Sequence, residues 1–291
     1  MRARLLHCLF AVLLVAGCGE SAPEKARPLE QDVLERFEFP RLGAGLREEQ
    51  PSRRQGVTVA EVVYPSSGPD NLTGFVVRRP DPGEHPPGVV FMHGRGGSAR
   101  DFLSDATALA RRGAVVLTID SPFVRSTDET IRAGNAPIKE TYDTMVQNVQ
   151  DLLRALDILV GQYGADAERL AIVGYSFGAQ PATLASALDE RVRALVLMAG
   201  LAYPSGPSND PRVRKTFGAI DTVDYVDNLA PTRLLIQGAE YDSVIPRSEL
   251  ELLYEEASEP KEIRWYDADH DLGETAAKQR VAWLVDQLDM S

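Results

Sequence analysis

Apolar residues in this chain gather into short unbroken runs, and between the runs lie stretches in which apolar positions recur every three or four residues. Residues 262–266 (EIRWY) are expected as a last strand, and the runs are 88–94 (GVVFMHG), 114–120 (AVVLTID), 170–174 (LAIVG), 194–198 (ALVLM) and 233–237 (RLLIQ). Their length and lack of polar alternation suit strands covered on both faces. Residues 98–112, 139–163, 246–256 and 274–288 carry the helical spacing. It is clearest in 139–163, where Met145, Val149, Leu152, Leu153, Leu156 and Leu159 fall on one side. Shorter helices are expected near 33–39 and 221–229, with irregular segments at 121–137 and 203–220. Residues 57–64 and 72–79 alternate instead, and PSSGPDN at 65–71 joins them, so they read as an antiparallel hairpin capping one edge of the sheet. Strand and helix then alternate to the end. The fold class is therefore α/β: a mostly parallel, doubly wound sheet with an antiparallel N-terminal hairpin, its ligands bound at the carboxyl ends of the strands. No internal repeat and no boundary for a second domain appear within 57–291.

The first residues break this pattern. Arg2 and Arg4 precede an apolar stretch from Leu5 to Ala16, and Val15-Ala16-Gly17-Cys18 ends in a cysteine behind small residues. The stretch is shorter than the ~20 residues a membrane span needs. It is similar to a bacterial lipoprotein signal, so 1–18 is expected to direct export and Cys18 to become the acylated first residue. The alternative is an ordinary secretory signal with a chance cysteine. With Gly19 rather than an aspartate after Cys18, an outer-membrane or surface location is expected in a Gram-negative host, and a periplasmic or secreted one otherwise. Residues 19–56, rich in Glu, Arg, Pro and Gln, read as a tether and lead-in to the domain.

Composition narrows the partners. The 291 residues are 44% hydrophobic and 25% charged, an ordinary globular balance with length for one large α/β domain. The net charge of −12 would repel a phosphate backbone, so nucleic-acid binding is not expected. Cys8 and Cys18 are the only cysteines, which excludes a disulfide framework or a cysteine metal site in the mature domain. The expected partners are a small-molecule ester and, through the N-terminal lipid alone, a membrane. The chain is expected to act as a monomer, without a cofactor or metal.

The chemistry gathers around the run at 170–174, which ends in the GxSxG pentapeptide Gly174-Tyr175-Ser176-Phe177-Gly178 before small, helix-compatible residues. A strand, a sharp turn with Ser176 at its tip and a helix follow from this order. Glycines at 174 and 178 make room for the turn. A solvated Gly-Ser turn would explain the pentapeptide alone, but not the residues that follow it. A serine hydroxyl needs a base, an acid and an oxyanion site. Of the four histidines, only His270 lies downstream of Ser176, directly after the last strand. Between them Asp242, in GAEYDSVIP just past the strand 233–237, is the expected acid, with Glu240 as the fallback. HGRGG at 93–97 follows the first parallel strand, where backbone N–H groups can approach a tetrahedral intermediate. The expected oxyanion donors are the amides of Phe177 and Arg95, with Gly94 and Gly96 as alternatives to Arg95. His93 itself is read as a brace for that loop.

Taken together, HGRGG at 93–97, GYSFG at 174–178, Asp242 and His270 resemble the α/β-hydrolase family over about 57–288, and within it the compact branch of dienelactone-hydrolase-like and acyl esterase enzymes. The resemblance implies a Ser176–His270–Asp242 triad and a serine hydrolase that cleaves carboxylic esters through an acyl-enzyme. Two departures matter. Dienelactone hydrolases are typified by a cysteine nucleophile, and Ser176 here favours simple esters. The larger members carry a helical cap for which this chain has only 121–137 and 203–220, so no large cap and a fairly open site are expected. Phe123, Tyr203, Val244 and Leu272 lie on loops that could line the pocket. A peptidase or thioesterase on the same triad, or a lipoprotein binding module without turnover, are the alternative readings.

Overall fold

The computed structural model describes residue 29 and residues 31–39, 45–125, 137–202 and 215–290; Cys18 and Tyr203 lie outside them. A short helix α1 (Gln31–Arg36) is followed by three strands: β1 (Arg47–Arg54), β2 (Val57–Pro65) and β3 (Asn71–Arg78). Then come β4 (Gly88–Met92), α2 (Leu103–Arg111), β5 (Val115–Ile119), α3 (Pro122–Arg125) and the long α4 (Ile138–Tyr163). The second half runs β6 (Leu170–Tyr175), α5 (Ala179–Leu188), β7 (Val192–Met198), α6 (Thr222–Val226), β8 (Arg233–Ala239), α7 (Arg247–Glu256), β9 (Lys261–Tyr266) and α8 (Gly273–Gln287). The strands form a single nine-stranded sheet in the order β1-β2-β3-β5-β4-β6-β7-β8-β9. β1, β2, β3 and β5 pair antiparallel, and from β5 through β4 to β9 every pairing is parallel.

Strand periodicity divides the core into two layers. On β6, Leu170 and Ile172 face one way and Ala171 and Val173 the other; on β7, Leu195 and Leu197 oppose Ala194 and Val196. The first set packs under α4, α5, α6 and α7, and the second under α2 and α8. With both faces covered, the central strands have no use for polar positions, which is why they read as continuous apolar runs. The spacing expected in 139–163 is realised in α4, where Met145, Val149, Leu152, Leu156 and Leu159 are all buried. That helix ends at Gly164, whose φ of 66° supplies the left-handed residue that a helix C-terminus favours.

The outer edge differs from expectation. The hairpin β2-β3 is present, but β1 flanks it and is itself the edge of the sheet. Its sequence REEQPSRR has no fully buried position, so no hydrophobic pattern marks it. Main-chain pairing to β2 holds it, interrupted by an irregularity between Glu49 and Ser52 that accommodates Pro51. Glu48 accepts hydrogen bonds from Arg78 on β3 and Tyr163 on α4. Upstream, Phe37 is buried in the core edge-on to Tyr225. The lead-in thus contributes a strand and an aromatic anchor before residue 57. Among the described residues no helix is long and apolar enough to cross a membrane.

Candidate active site

Ser176 sits where β6 gives way to a single 3-10 turn and then α5. Its φ is 52°, a backbone region that residues other than glycine seldom adopt. The flanking glycines make that turn possible. A Cβ on Gly174 would stand 2.5 Å from the carbonyl oxygen of Gly178 and 2.6 Å from the Ala182 side chain. One on Gly178 would stand 2.5 Å from the carbonyl oxygen of His93 and 2.7 Å from that of Met92, at the end of β4. Helix and strand therefore close on the turn from opposite sides.

Three loops at the carboxyl ends of the strands bring the other groups to this point. His270, on the loop after β9, has its Nε2 2.9 Å from Ser176 Oγ and its Nδ1 2.8 Å from Asp242 Oδ2. Asp242, on the loop after β8, turns its second oxygen inward, where Oδ1 accepts the backbone N–H groups of Val244 and Ile245 at 2.8 Å each. Its side chain is only 4% exposed. A carboxylate so held fixes Nδ1 of His270 as the protonated nitrogen and leaves Nε2 free to accept from the serine. Glu240, the fallback acid, points elsewhere and pairs with Arg247 at 2.9 Å.

The loop after β4 lies against Ser176: a Cβ on Gly94 would be 2.9 Å from that of Ser176. Gly94 to Gly97 form a turn closed by the Gly97 N–H on the Gly94 carbonyl at 3.2 Å. Gly96 has a φ of +75° at the position where a type II turn calls for glycine. His93 braces it. Its Nε2 accepts the Ser121 N–H at 2.9 Å, so the proton resides on Nδ1, which donates to the Gly94 carbonyl at 2.7 Å. Burial pushes the His93 pKa down, opposed by its bond to Gly94 and by Asp120. A neutral ring with one donor and one acceptor is what these two partners require.

The expected pocket residues fare differently. Phe123, on α3, is buried and meets the Phe177 ring edge-on at 5.1 Å, with the Arg95 guanidinium 4.7 Å from the Phe177 ring centre. Val244 is 59% exposed on the Asp242 loop. Leu272 does not line an opening: at 2% exposure it is packed in the α2/α8 layer, and its φ of 64° turns it inward and anchors the His270 loop. One close neighbour of the site went unmarked in the sequence. Tyr175, between Gly174 and Ser176, places its ring 5.2 Å from that of His270; the signal was a bulky aromatic beside the serine. Among the described residues no cluster of His, Cys, Asp and Glu could hold a metal ion.

The model of the alpha/beta hydrolase family matches residues 89–288, from β4 to the end of α8. The chain belongs to the alpha/beta hydrolase family. Its sheet order, the turn at Ser176 and the two later loops are this alpha/beta hydrolase's version of that fold. No curated protein sequence matches it. Solved structures do, at low identity. An acetyl xylan esterase from Paenibacillus sp. R4 aligns with a TM-score of 0.70 and 20% identity, over 91% of this chain and 96% of that one. Acetyl xylan esterase 1 from Thermoanaerobacterium sp. JW/SL YS485 gives 0.66 and 14% over 91% and 96%. Dipeptidyl peptidase 4 from Porphyromonas gingivalis gives 0.63 and 18%, over 83% of this alpha/beta hydrolase and 36% of its own length. These likenesses concern the fold.

Proposed function

We propose that this protein is a serine esterase that cleaves small carboxylic esters through a Ser176–His270–Asp242 triad. The observation that carries the reading is the hydrogen-bonded series from Ser176 Oγ to His270 Nε2 at 2.9 Å and from His270 Nδ1 to Asp242 Oδ2 at 2.8 Å. In the reaction Ser176 Oγ bonds to the ester carbonyl carbon as its proton passes to His270 Nε2. Asp242 stabilises the imidazolium, and the amide N–H groups of Phe177 and Arg95 receive the oxyanion. Collapse expels the alcohol, which takes the proton from His270. Water, deprotonated by the same nitrogen, then attacks the acyl-enzyme and frees the acid. As the acid leaves, His270 Nε2 passes the water's proton to Ser176 Oγ, so the triad is restored and the cycle calls for no further cofactor. The esterase neighbours favour an ester over an amide.

The N-terminal pattern adds a location: export, with a diacylglyceryl group on Cys18 anchoring the domain to a bacterial membrane. Radiolabelled palmitate should enter the wild-type chain in its host and should be absent from Cys18→Ala.

Hydrolysis of p-nitrophenyl acetate by the domain without residues 1–18, together with fluorophosphonate labelling, tests the activity. Ser176→Ala should lose the label and roughly 10⁶ in kcat while keeping its circular dichroism spectrum. Wild-type turnover by that variant would refute the nucleophile. Labelling without any ester turnover would turn the reading toward a peptidase or thioesterase.

A further inference from the structure

Tyr175 touches several parts of the site at once. Its hydroxyl donates to the carbonyl oxygen of His270 at 3.3 Å. Its ring lies 5.2 Å from the imidazole centre, tilted by 38°. Behind it, Phe102 meets the ring edge-on at 6.5 Å and is itself packed on Phe91 in the core. On the oxyanion side, a Cβ on Gly94 would come within 3.2 Å of Tyr175 Cδ1, so the ring also fills the space beside the Gly94–Gly97 turn. Along the chain it is bonded to the nucleophile.

We propose that Tyr175 is a positioning residue for His270, its ring and hydroxyl together holding the imidazole in line between Ser176 and Asp242. The inference rests on the serine-hydrolase reading. The backbone of the His270 loop is held by a bond within it, Leu272 N–H to the Asp269 carbonyl, and by one from the Asp242 loop, Tyr241 N–H to the Ala268 carbonyl. Neither fixes the ring, because two side-chain torsions lie between the backbone and the imidazole. Tyr175 restrains both levels. The hydroxyl ties down the backbone of His270, and the ring, 5.2 Å away, limits how far the imidazole can swing to that side. Phe102 passes that restraint to the core. Burial, reinforced by Asp271, Asp242 and Asp101, raises the Tyr175 pKa above its ordinary value. The phenol therefore stays a donor throughout the pH range in which a histidine base works.

Such a residue acts on the alignment of a proton transfer, so its loss should appear in kcat and leave KM almost untouched. With p-nitrophenyl acetate, Tyr175→Leu should lower kcat about ten- to a hundredfold, with KM within about twofold of wild type. Tyr175→Phe keeps the ring and should recover most of that loss, to within about two- to tenfold of wild type, the range of one neutral hydrogen bond. Tyr175→Met fills the same space with a flexible chain; it keeps the comparison available if the leucine variant does not fold, and carries the same expectation. The His270 Nδ1–H proton resonance should broaden in the leucine or methionine variant and stay sharp in the phenylalanine one. With an active wild type, a wild-type kcat in Tyr175→Leu or Tyr175→Met, or a loss confined to KM, overturns the positioning role alone. A wild type that neither hydrolyses the ester nor takes a fluorophosphonate label overturns the serine-hydrolase reading and this inference with it.

Discussion

Asp242 divides its oxygens between two tasks: Oδ2 faces His270, and Oδ1 holds the loop by accepting Val244 and Ile245. Two substitutions separate these tasks. Asp242→Asn can keep the carbonyl oxygen on the two amides but turns an NH2 group toward His270, where two donors conflict. The imidazole then favours the tautomer with its proton on Nε2 and cannot accept from Ser176. The expected result is a fall of about 10⁴ in kcat with little change in melting temperature. Asp242→Ala removes both functions and should lose about 1 kcal/mol of stability as well, from the loss of the two loop hydrogen bonds. Steady-state kinetics and thermal melts of the two variants check this, and an asparagine variant within tenfold of wild type would eliminate Asp242 as the acid. At this scale the sequence was informative where position alone decides. Ser176, Asp242 and His270 each follow a strand, in the order the family resemblance implies. It was silent where a side-chain direction decides. Leu272 looks like any loop leucine until a positive φ turns it into the core, and Tyr175 acquires its contact only when β6 and the β9 loop meet.

Elements were legible to the extent that burial had written a pattern into them. The parallel strands β4 to β8, covered by helices on both sides, are largely apolar because little else fits there, while the edge strand β9, KEIRWY, is mostly half-buried. β1 is a strand with no buried position, and its pairing is a main-chain matter that side-chain patterns do not record. The turn between β6 and α5 lies at the opposite extreme, since its two glycines mark a crowded crossing in the sequence itself. Gly178→Ala would drive a methyl group into the carbonyl oxygens of His93 and Met92, at 2.5 and 2.7 Å. Backbone rather than a flexible side-chain end must yield, at a cost of roughly 1–3 kcal/mol. The segments that must yield carry Ser176 and the Gly94–Gly97 turn, so on the proposed mechanism kcat should fall with stability. Gly161→Ala on α4, where an added Cβ meets nothing within 4 Å, is the control and should be neutral or slightly stabilising. Chemical denaturation of both variants checks the contrast, and equal stabilities would remove crowding as the reason for Gly178.

Across the whole molecule, the three loops of the site arise from separate elements that a buried polar network joins to one another. Arg280 on α8 donates from Nε and Nη2 to Asp105 Oδ2 on α2, and from Nη1 to Gln237 Oε1 on β8 at 2.7 Å. Gln237 in turn donates to the Tyr266 hydroxyl on β9 and to the Ala276 carbonyl on α8. α2 follows the Gly94–Gly97 turn, β8 leads to Asp242, and β9 and α8 flank His270, so the network fastens to one another the elements that carry the proposed oxyanion donor, acid and base. Its members are polar residues in segments that otherwise read as apolar or amphipathic, and no spacing rule pairs positions 105 and 280. Arg280→Met should leave a buried carboxylate without its cation and cost about 3–5 kcal/mol. For a domain of this size that is a fall of roughly 6–20 °C in Tm, at ~2–4 °C per kcal/mol. The pair itself need not be net stabilising, because both charges were desolvated to form it. Arg280→Met/Asp105→Leu should therefore regain much of the lost stability, and the double-mutant cycle should show a large coupling. If the network also sets the spacing of the catalytic loops, the double variant should recover Tm while kcat stays below wild type. Full recovery of both would reduce Arg280 and Asp105 to a replaceable packing unit, whereas an unchanged Tm in Arg280→Met alone would show that the network carries no load at all.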